Sequence, residues 1–245
     1  MSQKVRVINQ VLDNLTSDEI VVRVCSAIEK RRPIIIATVN PEFMVLSSRN
    51  EKFARTLSKF DVKTADGTGI VFMSALFGHK FRSRVTGADL THELIGIANQ
   101  KRFKVVMLGG SEESALKACN RLRNDYPSLN VDCISGGTIN PDRIDDGLIK
   151  KIREAKPDIL FVGLGSPKQE YFITKLSETV TIPVTMGVGG TIDFISGVAR
   201  RAPRWMRSMG QEWLWRLVTQ PKRFGRIINA TIVFPWYYLL WKIKH

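Results

Sequence analysis

Three features of the sequence predict an α/β protein built on a doubly wound, mostly parallel sheet with a helical C-terminal appendage. Short apolar runs of strand length recur along the chain, separated by stretches with helical periodicity. Each run ends in glycine or in Asn-Pro: Asn40, Gly67, Gly109-Gly110, Gly136-Gly137, Gly163-Gly165 and Gly189-Gly190. In a sheet of this kind those ends share one edge, where ligands bind. After Gly197 the composition changes to basic and tryptophan-rich, which predicts an α/β domain over 1–199 and an appendage over 200–245.

Thr16 and Glu19 have the spacing of a capping box and open a helix to about residue 31, with Ile20, Val24, Ala27 and Ile28 on one face. Pro33 leads into a strand over 34–39, and Asn40-Pro41 supplies the cap and first residue of the next helix. A helix over 51–59 follows, then a strand over 62–65 closed by Asp66-Gly67-Thr68-Gly69, then an apolar helix over 70–77. The alternation then becomes regular. A helix starts at the Thr86-Gly87-Ala88-Asp89 cap, and a strand over 103–108 leads to a helix over 111–124. A strand over 131–134 leads to a helix over 142–155.

The run from Ile159 to Leu164 reads as a strand buried on both faces. Gly163 and Gly165 permit a tight turn, Ser166 is a good N-cap, and Pro167 suits the first helical position. Strand, glycine turn and helix N-terminus together make an anion site. Ser166 and Gln169 fit a plain capping box equally well. The last strand, over 182–188, ends at Gly189-Gly190. Beyond it come a helix over 206–219 and an apolar stretch over 227–241.

The chain has 245 residues, and its net charge of +14 points to an anionic partner: nucleic acid, a membrane surface or a phosphorylated substrate. Residues 200–245 hold ten Lys/Arg against the single acid Glu212, so +9 of the charge lies there with all five tryptophans. The apolar stretch over 227–241 is shorter than the roughly 20 residues that span a bilayer. Its Trp236, Tyr237, Tyr238 and Trp241 suit a headgroup interface, with a buried core helix or an oligomer contact as the plainer reading. Cys25, Cys119 and Cys133 form no C-x-x-C pair, which fits a reducing cytoplasm. Met1 to Asp18 is mixed polar and does not read as a signal peptide. The three histidines are scattered and there is no Asp-x-Asp, so no catalytic metal and no cofactor is expected.

Asp66 stands at the ligand edge as a carboxylate general base, or as the Asp of an Asp-Gly turn. Thr38 and Asn40 end the neighbouring strand, with Asn40 open to a purely capping role. Arg84 could hold a phosphate. Asp193 could take a ribose hydroxyl or complement a helix N-terminus. The strand-end glycines Gly109 and Gly136 belong to the same edge, and none of the glycine runs has the spacing of a dinucleotide fingerprint.

Six motifs in order carry a resemblance. They are Asp66-Gly-Thr-Gly69, Arg84-Val-Thr-Gly-Ala-Asp89, Leu108-Gly-Gly-Ser111, Gly163-Leu-Gly-Ser-Pro-Lys-Gln-Glu170, Gly187-Val-Gly-Gly-Thr-Ile-Asp193, and the series Arg201-Ala-Pro203, Glu212-Trp213, Arg216, Pro221, Arg223. Together they resemble the WecG/TagA/CpsF glycosyltransferases of bacterial surface-polysaccharide synthesis, over about 30–226. The resemblance implies a Rossmann-like fold and inverting transfer from a UDP-sugar (N-acetylmannosamine, its uronic acid or glucose) to an undecaprenyl-diphosphate-linked sugar. The work would be done at an anionic membrane surface on the cytoplasmic face. By position, it implies Asp66 as the base and Thr38, Asn40, Arg84 and Gln169 as donor or acceptor contacts. Asp193 matches a nucleotide contact, and Arg216, Arg223 and Arg226 match a diphosphate-holding appendage. Ile227 departs from the pattern, where an aromatic residue is expected. Homo-oligomerisation is left open. A basic nucleic-acid-binding protein is the rival reading, opposed by the absence of an RNP or helix-turn-helix pattern.

Overall fold

The computed structural model describes residues 4–137, 139–221 and 224–244. It opens with a hairpin of β1 (Lys4–Val7) and β2 (Gln10–Asp13), an antiparallel pair absent from the sequence-based expectation. Its strands are four residues long, and the exposed–buried alternation of β1 is too brief to mark a strand in the sequence. The hairpin is tied to the body by Lys63 N–H donating to Asp13 Oδ2 at 2.9 Å.

α1 (Ser17–Glu29) then starts on the expected capping box. Glu19 N–H donates to Thr16 Oγ1, and Thr16 N–H donates to Glu19 Oε2. β3 (Ile34–Val39), α2 (Pro41–Arg49), α3 (Glu51–Ser58), β4 (Val62–Ala65), α4 (Thr68–Leu76) and α5 (Gly87–Lys101) follow. The second half comprises β5 (Lys104–Gly109), α6 (Glu112–Asp125), β6 (Asn130–Ile134), α7 (Asp146–Ala155), β7 (Ile159–Gly163), α8 (Lys168–Ser177), β8 (Val184–Gly187) and α9 (Thr191–Ser196).

β3 to β8 form one six-stranded, wholly parallel sheet in the order β4-β3-β8-β7-β5-β6. Along the central strands successive residues alternate between two cores. Val106, Leu108, Leu160 and Val162 join one, while Val105, Met107, Ile159 and Phe161 join the other. This is why those runs are continuously apolar: both faces are covered by helices.

Two local expectations are corrected. Ser166 and Gln169 do not form a capping box, because α8 starts one residue later, with Pro167 at the N-cap. The single helix expected over 206–219 is two, α10 (Arg204–Ser208) and α11 (Glu212–Thr219). Gly210 breaks it, with φ +72° and a backbone so close to Thr68 that a Cβ would lie 2.4 Å from its methyl.

The tail continues through α12 (Phe224–Ile228), a π-helical turn (Asn229–Val233) and α13 (Phe234–Lys244). The expected interfacial segment is in fact divided. Phe234 and Tyr238 are fully buried in the first core, while Ile232 and Trp236 are exposed. Among the described residues no helix is long and apolar enough to cross a membrane.

Candidate active site

A cleft of about 1180 Å³ opens at the carboxyl edge of β3, β4, β7 and β8 and is roofed by the tail. Five helices, α2, α4, α5, α8 and α9, begin at its wall, so their N-terminal N–H groups and dipoles converge on it. Asn40 Oδ1 caps α2 by accepting from Phe43 N–H at 3.1 Å, and Thr86 caps α5. The N-caps of α4, α8 and α9 are Gly67, Pro167 and Gly190, which offer no side-chain cap. At these termini the orphan donors of the first turn have no capping side chain.

Asp66 sits just past β4, half-buried in the cleft wall. Its Oδ2 accepts from Gly87 N–H at 3.1 Å, at the start of α5. Burial pushes its carboxyl from 3.8 up to about 6, with the Gly87 hydrogen bond, Arg216 and Arg84 pulling down and the Glu212 carboxylate adding to the rise. A carboxylate so placed is a competent general base at neutral pH. Gly87 is required here, since a Cβ would lie 2.8 Å from Thr38 Oγ1. Thr38 is itself buried against the same turn.

Gln169 is buried and serves a purpose other than capping. Its Oε1 accepts from Gly189 N–H at 2.8 Å, and its Nε2 donates to Glu170 Oε1 at 2.7 Å. The amide lies over Gly187, whose absent side chain leaves the room for it. It therefore staples the β7–α8 turn to the β8–α9 turn at the cleft wall. Burial pushes the Glu170 carboxyl up to about 7, against the hydrogen bond from Gln169, and its Oε2 has no hydrogen-bond partner among the described residues.

The arginines arrive from distant parts of the chain. Arg84 lines the cleft and its Nη2 donates to the Arg207 carbonyl at 3.1 Å, tying the α5 approach to the tail. Arg216 is paired with Glu212 at 2.6 Å and lies over the Phe194 ring at 5.8 Å. Arg226 is paired with Glu42 at 2.6 Å. Arg201, also in the wall, donates to Asp89 at 2.7 Å. Burial would raise Asp89, but Arg201 and Thr86 hold its carboxyl down at about 2.

Thr38, Asn40, Asp66, Arg84, Gln169, Arg216 and Arg226 are thus brought together, while Arg223 lies outside the described residues. Gly109, Gly136 and Asp193 do not line this cleft. Gly109 and Gly136 sit at the ends of β5 and β6, where Gly136 N–H donates to the Gly110 carbonyl and a Cβ on Gly109 would meet the Gly163 carbonyl. Asp193 accepts from Ser114 Oγ at 2.8 Å beside them. Sequence reasoning missed Glu42, and it named Glu170 and Arg201 within motifs without giving either a role. Glu212 carried a signal, its i,i+4 spacing to Arg216, whereas the Glu42–Arg226 pair joins residues far apart in the chain. Among the described residues no three His, Cys, Asp or Glu side chains are grouped to hold a metal ion.

In this doubly wound α/β protein a carboxylate of raised pKa, several arginines and convergent helix N-termini face one cleft, an arrangement suited to an anionic ligand. The chain belongs to the glycosyl transferase WecG/TagA/CpsF family, which it matches over residues 5–245. It is similar to the N-acetylglucosaminyldiphosphoundecaprenol N-acetyl-β-D-mannosaminyltransferase of Bacillus subtilis (strain 168), at 32% identity over 202 residues, covering 82% of this chain and 78% of that one. It is similar at 30% identity to the protein of the same name from Staphylococcus aureus (strain NCTC 8325 / PS 47), over 94% of this chain and 90% of that one.

Proposed function

We propose that this glycosyltransferase moves N-acetylmannosamine from its UDP derivative to a sugar carried on undecaprenyl diphosphate, with inversion at the anomeric carbon. The transferred sugar and the acceptor follow the names of the relatives. The observation that carries the mechanism is Asp66, fixed by Gly87 N–H in a cleft where five helix N-termini meet.

Asp66 takes the proton of the acceptor hydroxyl, and the oxygen attacks the anomeric carbon from the face opposite the leaving group. The bond from that carbon to the donor diphosphate breaks in the same displacement, and UDP departs. Arg216 and Arg226, joined by Arg223, exchange their carboxylate partners Glu212 and Glu42 for the diphosphate. The uncapped N-termini of α4, α8 and α9 meet the rest of its charge. Gly109, Gly136 and Asp193, beside the cleft, would receive the nucleoside, with Asp193 on the ribose. Transfer runs without a divalent metal and continues in EDTA. The protein works as a peripheral protein at the cytoplasmic membrane face, held there by its basic, aromatic tail.

A donor screen tests this reading. The purified chain is given a panel of UDP-sugars and a lipid-diphosphate acceptor bearing N-acetylglucosamine, in EDTA, and UDP release is followed. Turnover is expected with UDP-N-acetylmannosamine above all others. Preference for another donor overturns the sugar assignment, and recovery only on adding Mg²⁺ or Mn²⁺ overturns metal independence.

A further inference from the structure

The outer face of α4 has no part in the chemistry above. This helix contains no charged residue, and Thr68, Phe72, Ala75 and Leu76, at i, i+4, i+7 and i+8, all face outward. Phe72 is 66% exposed and Leu76 63%. A scattered exposed leucine is ordinary, but an aromatic and an aliphatic residue stacked one turn apart on an uncharged helix form a patch that calls for a partner.

The position of the patch says what that partner is. α4 begins two residues after Asp66, and Thr68, Phe72 and Ala75 of this face line the cleft. The two limbs of the tail clasp it. On one side Thr68 Oγ1 donates to the Gly210 carbonyl at 3.3 Å, just before α11 and Arg216. On the other, Gly69 packs near Ala230 and Phe234, and Phe77 lies 5.6 Å from Tyr238, beyond α12 and Arg226. Trp213 and Phe72 line the same cleft, and Leu76 continues the face about 6 Å further along the helix. One cleft wall thus holds the Asp66 carboxylate, the arginines Arg84, Arg216 and Arg226, and the uncharged apolar face of α4, which runs on to Leu76. A sugar on a diphosphate on a polyprenyl chain offers a counterpart to each of the three.

We propose that the outer face of α4, with Phe72 and Leu76 at its centre and Trp213 beside it, is the track that holds the first isoprene units of the acceptor's own chain. This rests on the lipid-diphosphate acceptor proposed above. The occupant is the acceptor chain and not bulk lipid, because the face continues the wall of the catalytic cleft.

The test uses the full chain in detergent micelles and two acceptors with the same sugar-diphosphate head, one on a polyprenyl chain and one on a methyl group. The variant is Phe72→Ser/Leu76→Ser; both side chains are exposed, so the core is untouched. The ratio of kcat/KM for the polyprenyl acceptor to that for the methyl acceptor should fall roughly ten- to a hundredfold, through KM. An unchanged ratio overturns the proposal. Loss of sedimentation with acceptor-free anionic liposomes, in step with the fall in ratio, assigns the face to the bilayer and also overturns it. Failure of the unsubstituted protein to use either acceptor would instead remove the acceptor reading on which the proposal stands.

Discussion

Asp66 holds one oxygen on Gly87 N–H while the cleft wall withdraws it from water, and burial outweighs the hydrogen bond, so its carboxyl titrates near 6. To act as the proposed base it must be ionised. kcat/KM should therefore fall about tenfold per pH unit below that value and level off above it. Asp66→Asn should lower kcat by about 10²–10⁴-fold while calorimetry shows UDP still binding; near-normal turnover would remove its role. Glu170 titrates near 7 instead of 4.5 because it is buried. A raised carboxyl contributes stability that is complete below its unfolded value and lost as pH rises through its folded one. The melting temperature should thus decline between pH 4.5 and 7 from this group, and Glu170→Gln should flatten that decline. An identical pH profile in the variant would refute the assignment.

At the scale of elements, α13 is both core and surface. Phe234 and Tyr238 lie fully buried against the sheet domain, and Tyr238 packs its ring on Phe77, Phe234 and Trp241. Phe234→Ala should cost about 3–5 kcal/mol by chemical denaturation, as for other buried aromatics. Trp236 is 59% exposed, so Trp236→Ala should leave the denaturation midpoint within experimental scatter and weaken liposome sedimentation. The opposite pattern would mean that α13 faces the membrane with its buried side. Removing 227–245 would strip Phe234 and Tyr238 from the core, so the truncated chain should melt at a lower temperature than the full one.

At the scale of the whole molecule, most of the excess charge belongs to one stretch of the chain. Residues 200–245 carry +9, and among the described ones Arg201, Arg216 and Arg226 line the cleft on which five helix N-termini converge. Each basic residue near an anionic leaflet adds about 1 kcal/mol, and salt screens it. The exposed Trp205, Trp236, Ile243 and their neighbours add an apolar contribution that salt leaves in place. Sedimentation with anionic liposomes should weaken between low and high salt without vanishing. Complete release at high salt would leave charge alone as the attachment.

The sequence by itself determined the sheet and its ligand edge. Runs buried on both faces read as strands, Thr16, Asn40 and Thr86 read as caps, and each cap is where it was expected. These are local properties, set by residues within a turn or a strand of one another. The tertiary structure decided what the locally ambiguous groups do. Gln169 had the spacing of a cap, yet it turns to Gly189 because the neighbouring strand's loop presents an N–H and Gly187 leaves room. Arg226 had a counterpart in Glu42 that no spacing could show, and the tail's aromatics were sorted into core and surface only by packing on α2 and α4. Such contacts depend on where distant segments meet, and the energy of a buried polar group or ring is settled by those neighbours and not by its place in the chain.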